Sequence, residues 1–173
     1  MKIKTLFAIL CVVGAMAISV SAQKRKPAPA PTPKKPPVTT TNALEIKQSA
    51  EKVAIQLKNV TNFLYKLGGI ATSLEDTDKD AKAGKLSRAA IDKNNDFKQA
   101  VVISIRNLKA GLAALEIEFR TKASIKPFLA QINGVTDLAT QSEDLALAGQ
   151  FTNSGKVLIQ VVEKLADTLV AMP

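Results

Sequence analysis

The chain contains no histidine and no tryptophan, and its single cysteine, Cys11, sits inside an apolar run near the N-terminus. These absences remove most familiar site chemistry. Zinc sites of the usual kind, haem held through His, Ser-His-Asp or Cys-His catalysis and disulfide exchange all need an imidazole or a thiol. Di-iron bundles need Glu-x-x-His, which cannot occur here. Aromatics are also scarce, with one tyrosine, Tyr65, and six phenylalanines among 173 residues. An enzyme built from this inventory is restricted to carboxylate or lysine chemistry, and the sequence presents no converging set of either.

What is present falls into three zones. Met1 to Ala22 carries a basic head, Lys2 and Lys4, then an apolar stretch from Leu6 to Val20, then the small-residue pattern Val20-Ser21-Ala22. This predicts a secretory signal peptide over residues 1–22, cleaved before Gln23. The stretch falls short of the roughly 20 apolar residues that span a bilayer. Leu10 precedes Cys11 where a lipobox needs a small residue, so Cys11 is expected to be signal-peptide filler.

Gln23 to Thr41 holds six of the eight prolines and five basic residues, with almost no large apolar side chain. It predicts an extended linker over 23–41, polyproline-like, with a reach of about 60 Å. The net charge of +9 resides mostly in these two zones, leaving 17 basic against 15 acidic residues from Asn42 onward. A near-neutral domain of this kind is not expected to bind nucleic acid. The basic linker is suited to weak contact with anionic membrane or cell wall.

From Asn42 to Pro173 the pattern is helical, and the expected fold is all-α: an antiparallel up-down-up-down four-helix bundle over 42–173, with a longer first hairpin. Asn42 and Glu45 have the spacing of a capping box. Ile46, Ala50, Val53, Leu57, Val60, Leu64, Leu67, Ala71 and Leu74 follow at alternating steps of four and three, a heptad-like, coiled-coil-type stripe that Phe63 and Ile70 broaden. Gly68-Gly69 predicts a bend, an end or the close approach of another helix, since two glycines in a helix cost roughly 1 kcal/mol each. The second helix is expected to be central. Phe97, Val101, Ile105, Leu108, Leu112, Leu115 and Phe119 line one face, and Val102, Ile103, Ala113 and Ala114 widen it, so it requires cover on more than one side. Asn94-Asn95 predicts a break or cap before it.

A third helix is expected from Ser124, as cap, through Pro127, Phe128, Ile132, Val135 and Ala139 to Ala148, with a turn at Gly149. A fourth is expected to start at Asn153 or Ser154 and to use Val157 or Leu158, Val161, Leu165, Leu169 and Met172. An internal likeness at an offset of 65 residues pairs Phe63–Ile70 with Phe128–Val135 and Ala81–Ser87 with Ala146–Thr152, which points to two related αα-hairpins.

One constellation resembles a ligand site. Asp76, Asp78 and Asp80, and again Asp92, Asn94 and Asp96, have the spacing of the first oxygen ligands of an EF-hand calcium loop. The second half of that pattern is missing in both, with Ala81 and Phe97 at the glycine position and Ser87 and Ile103 at the closing glutamate. An acidic, solvated connection over 75–96 is therefore expected. Glu116 and Glu118 are the carboxylates nearest to an acid–base pair, but residues two apart diverge on a helix, and Glu118 is expected to face solvent. Tyr65 and Arg106 fall on polar edges. No catalytic, cofactor or metal residue is assigned. The expected function is an exported, periplasmic or secreted, non-enzymatic structural or protein-interaction module whose partner is protein, self or other. The alternatives are a carrier of a small apolar ligand or lipid in the bundle interior and a calcium-responsive module at 75–96.

Overall fold

The computed structural model describes residues 38–173, so the expected signal peptide and residues 23–37 of the expected linker lie outside the described residues. Among the described residues 88% are helical and no strand occurs. Helix α1 spans Val38–Lys82, α2 Arg88–Thr121, α3 the single turn Leu129–Ile132, α4 Val135–Leu147 and α5 Phe151–Ala171. Four of them, α1, α2, α4 and α5, pack against one another around a shared apolar core.

The α1 stripe behaves as its spacing predicts. Val53, Val60, Leu67, Ala71 and Leu74 are buried, and Ile46, Ala50, Leu57 and Leu64 pack against them. The start of the helix differs from expectation. It begins at Val38, within the segment assigned to the linker, which places Asn42 inside the helix. Glu45 then has no cap to complete, and its carboxylate instead accepts the Ser124 hydroxyl at 2.6 Å. That contact also takes Ser124 away from capping the third helix. Helix α1 runs unbroken through Gly68 and Gly69, and a Cβ on either would meet nothing within 4 Å. The close helix approach occurs elsewhere, at Gly111, where an added Cβ would lie 2.8 Å from the Gln56 amide.

Helix α2 is capped by Ser87, whose hydroxyl accepts the Ala90 N–H, and it passes through Asn94 and Asn95 without a break. Asn94 is buried, and its amide donates to Asp78 Oδ1 at 2.8 Å and to the Leu74 carbonyl. A residue expected to end a helix instead ties two helices together. Val101, Val102, Ile105, Leu112, Leu115 and Phe119 are buried as the pattern requires, but Phe97 and Ile103 are half exposed, and so is Ile70 on α1. Phe97 and Ile70 lie near the helical phase of the core and share a shallow groove between α1 and α2, whereas Ile103, two residues from both Val101 and Ile105, falls on the opposite side of α2.

The expected third helix is split. Pro127 lies in the 3-10 turn Lys126–Phe128, α3 ends at Ile132, and Gly134 adopts φ 89 before α4 begins. That left-handed conformation is strained for any residue bearing a Cβ. Ile132, Val135 and Ala139 remain buried across the break. Helix α5 starts at Phe151 rather than at Asn153 or Ser154, and both Phe151 and Ser154 are buried. The two glycine turns share one geometry. Gly84 donates to the Ala81 carbonyl and Lys85 to that of Asp80; Gly149 donates to Ala146 and Gln150 to Leu145. Both are Schellman caps with a left-handed glycine, 65 residues apart. The other half of the internal likeness is not shared, since Gly69 is helical and Gly134 is not. Among the described residues no helix is long and apolar enough to cross a membrane.

Candidate functional site

The carboxylates on and beside the apolar faces are the chemically distinctive groups of the fold. Glu116 follows Leu112 by four residues and precedes Phe119 by three, so helical phase drives it into the core. It is 2% exposed. Its oxygens accept from the Gly134 N–H at 2.9 Å, the Thr136 hydroxyl at 2.5 Å, the Thr136 N–H at 3.3 Å and Arg120 Nη2 at 2.6 Å. Burial alone raises its pKa, but the bonds from Gly134 and Thr136 and the charge of Arg120 outweigh it, and the carboxyl lies below its ordinary value. Helix α4 has no side-chain cap of its own. Glu116 supplies one from α2, placing negative charge at the positive end of the helix dipole.

Helix α5 is treated in the same way. It too lacks its own cap, and Glu75 of α1 accepts the Thr152 N–H at 2.8 Å and its hydroxyl at 3.2 Å. Thus α4 and α5 each have, as second residue, a threonine held by a glutamate from one of the long helices.

Glu118 is not solvent-facing. Its side chain is 15% exposed, and it turns toward α1, where Lys52 Nζ lies at 2.7 Å and Ser49 Oγ at 3.1 Å, with Lys122 Nζ at 2.6 Å. Lys52 and Ser49 of α1, with Lys122 just past the end of α2, hold the carboxylate between the two helices. Burial raises its pKa and the bonds from Lys122, Lys52 and Ser49 lower it by more, leaving it depressed. As their spacing predicts, Glu116 and Glu118 diverge. Tyr65 is exposed, and Arg106 leaves its polar edge to pair with Glu143 at 2.5 Å. Glu143 also accepts Lys109, and those two donors, Lys109 first, hold its carboxyl below the ordinary value. The sequence reading did not single out Glu143. The signal was there, because Glu143 sits four after Ala139 and three before Ala146, on the apolar face.

The acidic triplets do not form loops. Asp76, Asp78 and Asp80 belong to the last turns of α1, and Asp92, Asn94 and Asp96 to the first turns of α2. Alternate residues of a helix point to different sides, and the individual pairings reflect this. Asp78 takes Lys98 at 2.8 Å, Asp76 takes Lys79 and Asp92 takes Arg88. Among the described residues no group of three or more acidic side chains is arranged to hold a metal ion.

Two surface grooves accompany these groups. One of about 520 Å³ lies along α2 and the end of α4, with Val102, Ile103, Ala146 and Leu147 as its apolar part and Lys98 and Arg106 at its polar edge. Another of about 340 Å³ lies between α1 and α2 and is lined by Ile70, Leu74, Ala90 and Phe97. No protein-family model matches the chain, and no similar curated protein or solved structure was found.

Proposed function

We propose that this chain is an exported, non-enzymatic helical module that acts by presenting its outer helix faces to protein. One observation carries the reading: the buried carboxylates are consumed within the fold, while large apolar side chains remain outside it. Glu116 and Glu143 are both clamped by donors of this chain, whereas Ile70, Phe97, Ile103, Ile117 and Leu147 stand at least two-fifths exposed. A carboxylate held by several donors is neither a good base nor free to move a proton. Exposed apolar side chains grouped along helix grooves are what partner surfaces cover.

We infer an antiparallel up-down-up-down order for α1, α2, α4 and α5. It is supported between α1 and α2 by the pairs Ser49–Glu118 and Asp78–Lys98, and between α2 and α4 by Glu116–Thr136 and Arg106–Glu143. Ser142–Ser154 between α4 and α5 and Glu75–Thr152 between α1 and α5 extend it. Residence in the periplasm or outside the cell rests on the signal-like residues 1–22, with residues 23–37 as spacer.

Native mass spectrometry of the chain exported from a bacterial host, sprayed with and without chelator, tests the reading. A bare polypeptide mass, as monomer or as a defined multimer, is the expected result. Extra mass that denaturation removes replaces the module with a carrier, and extra mass that chelator removes replaces it with a calcium-responsive protein.

A further inference from the structure

We propose that the outer face formed by α2 and α4 is a self-association surface that takes a second copy of this chain about a two-fold axis. The inference rests on the module reading above and names its partner. Helix α2 is apolar around much of its circumference and needs cover on more than one side, yet within this chain Ile103 and Ile117 remain 54% and 57% exposed. They lie fourteen residues apart, four turns along one stripe that also contains the exposed Ala110. Helix α4 adds Leu147, 58% exposed, beside Ile103 in the groove.

Charge identifies the occupant. Val135–Leu147 contains no basic residue, and Asp137 and Asp144 share a stripe with Leu147 at steps of seven and three. Leu147 lies within about 20° of Thr136 around the helix, and Thr136 reaches α2 through Glu116, so Leu147 borders α2 while the exposed Asp137 and Asp144 stand about 80–100° further round, on the side away from the buried Val135, Ala139 and Ala146. Among the described residues neither aspartate forms an ion pair with this chain. On the α2 side stands Arg106, whose guanidinium gives only its Nε to Glu143 and whose side chain is half exposed, whereas Lys98 is already held by both oxygens of Asp78. Among the described residues the other N–H groups of Arg106 meet no acceptor within the fold and are available to a second carboxylate.

Neighbouring helices thus bear opposite charge. A two-fold rotation lays the acidic stripe of each copy over Arg106 of the other, satisfying both contacts at once, with the apolar residues between them.

Sedimentation equilibrium of the full chain from about 1 to about 200 μM, at low and at high salt, tests this. A dimer weakened by salt is expected. Asp137→Lys with Asp144→Lys weakens it by about tenfold or more, and Leu147→Glu does the same. Phe97→Glu, in the other groove, leaves the dimer constant unchanged. All of these sites are exposed, and circular dichroism melts confirm that each variant folds. A chain that stays monomeric at the highest concentration overturns the inference, as does a dimer that Phe97→Glu breaks and the aspartate variants do not. A bare monomer in the native spectrum leaves the module reading standing without this partner, whereas a bound small ligand removes the reading itself.

Discussion

A carboxylate removed from water is stable only where donors replace its hydration, and Glu116 has four within hydrogen-bonding reach from three residues. Its depressed pKa has a direct consequence for folding. A carboxyl whose folded pKa lies below its unfolded value of about 4.3 adds stability above that value, and the gain is lost as pH falls through the folded pKa. Glu118 and Glu143 are depressed as well. Unfolding free energy is therefore expected to be flat from neutral pH to about pH 5 and to fall steadily below about pH 4. Glu116→Gln keeps the shape but presents an amide N–H₂ where only acceptors fit, and should cost about 1–2 kcal/mol at pH 7. It should also shallow the acid limb, because one of the titrating groups is gone. Urea melts across pH measure both effects. An acid limb in Glu116→Gln parallel to that of the parent would show that Glu116 does not titrate between the folded and unfolded states.

At the scale of helices, the glycines separate into two kinds. Gly68 and Gly69 are exposed, helical and free of neighbours, so Gly68→Ala and Gly69→Ala should each stabilise by up to about 1 kcal/mol. Gly134, at φ 89, should lose about 1 kcal/mol or more on replacement by alanine, although nothing crowds its Cβ position. Thermal melts of the three variants decide, and a destabilised Gly68→Ala would mean that α1 is not a continuous helix there. The same contrast explains what the sequence disclosed. The burial of Val53 to Leu74 and of Val101 to Phe119 was legible, because a sustained three-and-four spacing has few other uses. The break at Gly134 was not, since Ile132, Val135 and Ala139 keep helical phase across it. Nor were the starts of α4 and α5, whose capping glutamates lie 20 and 77 residues away in sequence, beyond any local pattern. Ile103 was never in phase with Val101 and Ile105, from each of which it is two residues away, while Phe97 is near that phase and stays half exposed because phase says nothing of how far the neighbouring helices extend.

Across the whole molecule, stability is expected to be uneven along the first hairpin. Helices α1 and α2 are the longest, and the α4–α5 turn meets α1 at the level of Glu75 and Asp78. Beyond that level, from Lys79 to Lys93, no residue is buried. The tip is held by surface ion pairs such as Lys79–Asp76 and Lys85–Asp80, of a kind worth little in water. Its boundary is polar: Asp78 joins Lys98 and the buried Asn94, just outside the last buried leucine of α1, Leu74. Helical amides of the tip should therefore exchange with solvent about 100-fold faster than those from Val101 to Leu115, through local opening without global unfolding. Asp78→Ala removes the boundary contact and leaves the Asn94 amide with only the Leu74 carbonyl. Fast exchange should then advance toward Leu74 while the core of α2 keeps its protection. Hydrogen exchange followed by NMR or mass spectrometry reads both stages, and protection as strong in the tip as in the core would mean that something outside this fold covers it.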